Sequence, residues 1–97
     1  MPTYVMLANW TDQGIRTIAE CPKRIEAARH ALEDMGGQIR TILMTMGAYD
    51  LVVIFEAPDD AVSARFTLML GRLGNVRTTS MKAFPEEALR HIVESIA

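Results

Sequence analysis

Ninety-seven residues carrying a net charge of −2 and 49% apolar side chains leave room for one domain, residues 1–97, and no second one. The mixed charges contain no polybasic run, which argues against nucleic acid and anionic membrane as partners, and no stretch approaches the roughly 18 apolar residues of a membrane span. The opening residues lack a basic-then-apolar secretory pattern, and the one cysteine, Cys21, makes neither an internal disulfide nor a multi-thiolate metal site; a cytoplasmic location is the expectation.

Tyr4 to Ala8 is a short apolar run with β-formers, closed by Asn9-Trp10-Thr11-Asp12, and predicts a first strand from Thr3 to Asn9. Thr11 is a good N-cap and Asp12 suits the positive end of a helix dipole, so a short helix is expected from Asp12 to about Glu20, weakened by Gly14. Pro22 at a first helical position opens a longer helix to about Met35, with Cys21 as its cap. Ile25, Ala28, Leu32 and Met35 share one face of it, and Gly36-Gly37 supplies the left-handed stop.

Gln38 to Met46 and Leu51 to Ala57 read as the strands of a hairpin, although the first alternates imperfectly. Pro58-Asp59-Asp60 starts a helix whose stripe is Val62, Phe66, Met69, Leu70 and Leu73, ending at Gly74. Asn75 to Ala83 is the last strand, and Pro85-Glu86-Glu87 opens a terminal helix carrying Leu89, Ile92, Val93 and Ile96. The order β-α-β-β-α-β plus a C-terminal helix is an α+β, ferredoxin-like arrangement: a four-stranded antiparallel sheet with both main helices on one face.

That arrangement leaves the second sheet face open. Leu51 to Phe55 are all apolar, and alternate side chains of a strand point to opposite faces, so both faces need cover. Val5 and Leu7 against Tyr4, Met6 and Ala8 repeat the pattern on the first strand. A small chain buries only about 60–65% of its unfolded surface, and a second copy of the chain is the economical cover, which predicts a homodimer or larger homo-oligomer.

The string Met46-Gly47-Ala48-Tyr49-Asp50-Leu51-Val52-Val53-Ile54-Phe55-Glu56-Ala57-Pro58-Asp59-Asp60, the opening Pro2 to Thr11 and the segment Leu73 to Thr79 resemble the Gly-Tyr-Asp (GYD) domain family; here Ala48 stands between Gly47 and Tyr49. The resemblance spans nearly the whole chain and implies a layout similar to the dimeric α+β barrel superfamily, in which two ferredoxin-like sheets pack face to face. It is silent on activity. Relatives by architecture include cofactor-free monooxygenases, isomerases, haem-degrading enzymes and effector-binding modules of regulators, and fold alone does not choose among them.

Five residues are the candidate ligand-binding set. Asn9 and Trp10, leaving the end of the first strand, and Arg77 on the last strand supply an amide, a stacking face and an anion clamp for the mouth of a barrel. Tyr49 and Asp50 end the hairpin turn, where a phenol and a carboxylate are group types that orient a ligand or relay a proton. Turn chemistry accounts for them as well, with Gly47 at positive φ, Asp50 accepting turn amides and Tyr49 covering the hairpin end.

His30 and His91 lack second ligands at metal-motif spacing, and the seven methionines read as adaptable core filling. Arg65, Arg72, Arg77 and Lys82 read as a solvated edge, without the aromatic strand motif of RNA-binding sheets. No metal and no cofactor is expected. The reading is an oligomeric small-molecule-binding or sensing module for a small apolar or anionic metabolite, with little or no catalysis. The alternatives are a cofactor-free enzyme, an isomerase or monooxygenase, and a purely structural assembly unit.

Overall fold

A computed structural model describes residues 1–97. Strands β1 (Thr3–Trp10), β2 (Gln38–Met44), β3 (Leu51–Glu56) and β4 (Val76–Ala83) form one sheet in the order β2-β3-β1-β4, and every neighbouring pair is antiparallel. Helices α1 (Asp12–Arg16) and α2 (Cys21–Asp34) make the first crossover, α3 (Asp60–Arg72) makes the second, and α4 (Glu86–Glu94) follows β4. This is the ferredoxin-like α+β arrangement that the element order predicts.

The first crossover breaks where one helix is expected from Asp12 to Glu20: α1 stops at Arg16 and a separate 3-10 turn occupies Ile18–Glu20. Thr11 does cap α1, its side-chain oxygen accepting from the Gly14 amide. Gly14 has a purpose beyond weakening the helix. A Cβ there would lie 2.0 Å from the Asn75 carbonyl oxygen, because the Thr11 amide donates to that same oxygen at 3.1 Å and Gln13 reaches both the Leu73 carbonyl and the Asn75 side chain at 3.0 Å. Gly14→Ala is therefore expected to cost about 1–3 kcal/mol through forced separation of α1 from the turn before β4, read as a lowered urea midpoint. An unchanged midpoint would refute the close approach.

Cys21 is the first residue of α2 and not its cap; Glu20 occupies the cap position and makes no side-chain bond to the helix. Pro in the first turn already has no amide to satisfy. The stop is as expected, with Gly36 at φ +89° and the Gly37 amide returning to the Leu32 carbonyl at 2.9 Å.

The imperfect alternation of β2 has a physical cause. Ile39 faces Phe55 and Thr41 faces Ile54, so Arg40 is an extra residue, a bulge. It lets Ile39 and Ile42, three apart, share one sheet face. The core lies on that face: Tyr4, Met6, Val53, Phe55 and Ile39 meet Leu32 of α2 and Phe66 of α3, all buried. Phe55 stacks on Tyr4 and meets Phe66 edge-on, both at 5.3 Å between centroids.

The other face holds Val5, Leu7, Val52, Ile54, Leu43 and Met81, by the alternation of their registers. None of these six is buried. α4 does not lie across them: every α4 residue except the half-buried Ala88 is exposed.

Candidate functional site

The two crossover helices straddle the sheet without closing against each other along their length. Between them lies a cleft of about 390 Å³, floored by Met6, Ala8, Ile42, Leu51 and Val53, walled by Ile25, Ala28 and Ala31 of α2 and by Phe66, Met69 and Leu70 of α3, and bounded by Trp10 and Cys21. Seventeen of its 20 lining residues are apolar. The small side chains of α2 create the space, since Ala at three positions of one helix face leaves volume that Leu or Met would fill. The polar members are Arg24, Arg72 and Asn75.

Alternation along the strands divides the five expected binding residues. Trp10 faces the helices and lines the cleft, whereas Asn9 and Arg77, paired in register across β1 and β4, are on the open face. Asn9 and Trp10 are neighbours in a strand and point opposite ways, so amide, indole and guanidinium do not converge on one mouth. Asn9, Trp10 and Asp50 do meet through the backbone. The Trp10 amide donates to the Asp50 carboxylate at 3.0 Å, and the Asp50 amide donates to the Asn9 side chain at 3.1 Å and to the Ala8 carbonyl at 2.9 Å.

Asp50 thus ties the hairpin to β1 through its carboxylate, which takes none of the turn's own amides, while its main-chain carbonyl accepts from the Thr45 amide at 2.8 Å. Tyr49 contributes its carbonyl, which accepts from the Thr45 hydroxyl. Gly47 has no positive φ, a conformation confined to Gly36 and Gly74 among the glycines; the six residues between β2 and β3 reverse the chain without a left-handed position. Asp50→Ala is expected to cost about 1–3 kcal/mol, because it strips the partner from a half-buried strand amide, while Tyr49→Phe leaves stability within about 0.5 kcal/mol. Chemical denaturation checks both. Equal losses would sink the assignment.

A polar group that the sequence pattern conceals sits at the opposite end of the sheet. The buried Tyr4 hydroxyl donates to Asp60 at 2.6 Å, and Lys82 lies 3.1 Å from the same carboxylate. Burial, reinforced by the Asp60 carboxylate, pushes the Tyr4 phenol up to about 12. It holds its proton at neutral pH and is a structural phenol. The Tyr4 hydrogen bond, then Lys82, holds Asp60 below the usual carboxylate range.

A depressed folded value stabilises the protein above the unfolded pKa of about 3.9, and the contribution is lost as pH falls through the lower folded one. The melting-temperature gap between parent and Asp60→Asn should therefore be constant above about pH 5 and shrink as the acid titrates. A gap that widens in acid would contradict this. On the open face the hydrogen bond from Arg40, at 2.9 Å, likewise holds Glu56 down.

The histidines are exposed, His30 beside Glu33 at 3.6 Å and His91 between Glu87 and Glu94 at 4.0 and 3.8 Å. No group of three or more His, Cys, Asp or Glu side chains is arranged to hold a metal ion. No helix is long and apolar enough to cross a membrane.

The sheet order, the α2–α3 cleft and the Gly-Ala-Tyr-Asp hairpin stand together with a family model, the GYD domain, that matches residues 4–93. The chain belongs to the GYD domain family. A curated relative in sequence, the "Glutamine synthetase and cystathionine beta-lyase binding protein" of Thermus thermophilus, is 37% identical over 86 residues, 88% of this chain and 90% of that one. The crystal structure of TTHA0845, also from Thermus thermophilus, is similar in fold, with a TM-score of 0.56 at 22% identity over 88% of this chain and 95% of that one. For this GYD domain, then, Asn9, Trp10 and Asp50 share a hydrogen-bonded corner, Trp10 alone of the five lines the cleft, and Arg77 is apart from it.

Proposed function

We propose that this GYD domain is a self-associating binding module that docks on other proteins, metabolic enzymes among them, and holds a small molecule between sheet and helices. The observation that carries the reading is a pair of apolar surfaces for which the chain supplies no cover. One is the open sheet face of Val5, Leu7, Val52 and Ile54, which a second copy of the chain covers. Each aliphatic side chain taken fully out of water contributes about 1.5–3 kcal/mol, and a matching sheet offers that for several at once.

The other surface is α4. Leu89, Ile92 and Val93, with Ile96 just past the helix end, are exposed and fall at i, i+3, i+4 and i+7, the anchor spacing of a helix that lies in a partner's groove. The opposite side carries charge, His91 lying 4.0 and 3.8 Å from the Glu87 and Glu94 carboxylates, and the Glu86–Arg90 pair at 2.9 Å flanks the stripe. The name of the Thermus relative, which refers to two enzymes, supports assigning α4 to a protein partner. The lining of the cleft has no carboxyl, imidazole or phenol, so the cofactor-free enzyme finds no acid–base pair there. A 390 Å³ cleft is within the size range of ligand pockets, which favours a binding site over a purely structural unit.

The test combines light scattering at micromolar concentration with capture of purified glutamine synthetase and cystathionine β-lyase on the immobilised protein. At least a dimer is expected, with capture of one or both enzymes, and Ile92→Asp should lose capture while keeping the oligomer. A monodisperse monomer that captures neither enzyme would end the reading.

A further inference from the structure

We infer that the cleft between α2 and α3 binds a small monocarboxylate with an apolar body, the carboxylate held at Arg72 and the body lying over Trp10 and Met69. This deepens the binding-module reading and rests on it. The cleft carries a charge imbalance. Two guanidinium groups, Arg24 and Arg72, line a cleft whose one other polar member is Asn75 and whose lining contains no Asp or Glu. Neither is among the chain's ion pairs.

Their situations differ. Arg24 donates to the Gly14 and Thr17 carbonyls at 3.1 and 3.0 Å, holding the end of α1 against α2, and its charge remains uncompensated by any carboxylate. Arg72 makes no side-chain hydrogen bond at all among those of the chain. A cation in the last turn of a helix is favourable by itself, which accounts for the residue type but not for its place on an apolar cleft. The first turn of α2, which also borders the cleft, carries no acidic residue, the one acid at that helix start being Glu20 at the cap position, which makes no side-chain bond to the helix. The acidic residue of the adjoining groove, Glu26, has Arg29 at 3.6 Å.

An apolar cleft with uncompensated positive charge selects for a ligand that is apolar over most of its surface and singly anionic at one end. A neutral apolar molecule gains nothing from the guanidinium, which water solvates at its exposed position, and a multiply charged one carries charge into the apolar floor at a high desolvation cost. A guanidinium meets a carboxylate with two parallel N–H donors. Near low-dielectric walls that pairing discriminates the anion from the matching alcohol by about 10- to 100-fold.

The experiment titrates the full chain with octanoate and with 1-octanol, by calorimetry and by amide chemical-shift mapping. Octanoate should bind saturably with shifts at Ile25, Ala31 and Met69, and more tightly than 1-octanol by about 10- to 100-fold. Arg72→Gln, at an exposed position, should erase that preference while leaving 1-octanol unchanged. Ala31→Phe, which fills the cleft, should remove both ligands, with its thermal melt reporting that the fold is intact. Equal affinities, a preference that survives Arg72→Gln, shifts confined to the open sheet face, or no saturable binding would each overturn the assignment. Failure here with enzyme capture intact removes the cleft ligand and leaves the docking module standing, whereas loss of capture alone does the reverse.

Discussion

Val53→Asp is expected to prevent folding, while Val52→Asp, one residue away, leaves a folded subunit that no longer associates. Val53 is 5% exposed and sits in the core with Met6 and Phe55, so a carboxylate there is buried without a partner. A substitution of this kind exceeds about 4–5 kcal/mol, much of the roughly 5–15 kcal/mol by which a domain is stable. Val52 points the other way, opposite Leu7 on β1 and Leu43 on β2, and is only half-buried. Its carboxylate stays wet in a lone subunit and is desolvated only where two sheets meet. Circular dichroism melts and light scattering at micromolar concentration separate the two effects. A Val52→Asp protein that scatters like the parent would remove the open face as the site of association.

Phe55→Ala should lower stability by about 3–5 kcal/mol, the range for truncating a fully buried aromatic residue. Phe55 has no exposed surface and lies between Tyr4 and Phe66, so the deletion leaves a void that neither ring closes without leaving its own contact. Part of the loss is the pair of ring interactions, each worth about 0.5–1.5 kcal/mol beyond burial. Phe55→Leu should recover much of the loss by restoring volume without the ring. Urea denaturation of both variants is the measurement, and a loss below about 1 kcal/mol for Phe55→Ala would mean that the centre of the core is elsewhere.

The candidate site is legible in the sequence only in pieces. Trp10 stands out there as a large aromatic residue at a strand end, and it does line the cleft. Arg77 stands out for its charge, yet register sets it beside Asn9 on the other face of the sheet. Arg24 and Arg72 do not stand out as ligand residues, because an arginine on a helix is ordinary in sequence. What makes them informative is the absence of any acidic lining around them, and that depends on the packing of three separate elements. Likewise the Tyr4–Asp60 bond joins residues 56 apart in the chain, and no local pattern announces it.

Local chemistry is sufficient wherever the interaction is local. Thr11 before α1, Asp59 before α3, the apolar stripes of α2 and α3, and Gly36 after α2 each act within a turn of their own position, so the element order and the one-sided placement of the helices follow from the residues alone. The continuous run from Leu51 to Phe55 likewise implies two faces in need of cover, because alternation is a property of any strand. Which of Val52 and Val53 faces the helices is decided by tertiary pairing, since a one-residue shift of register exchanges them. The bulge at Arg40, the close approach that requires Gly14, the reach of Asp50 to the Trp10 amide and the unfilled space beside Ala31 are decided the same way. Each depends on where a distant segment lies, and neither propensity nor spacing along one segment contains that distance.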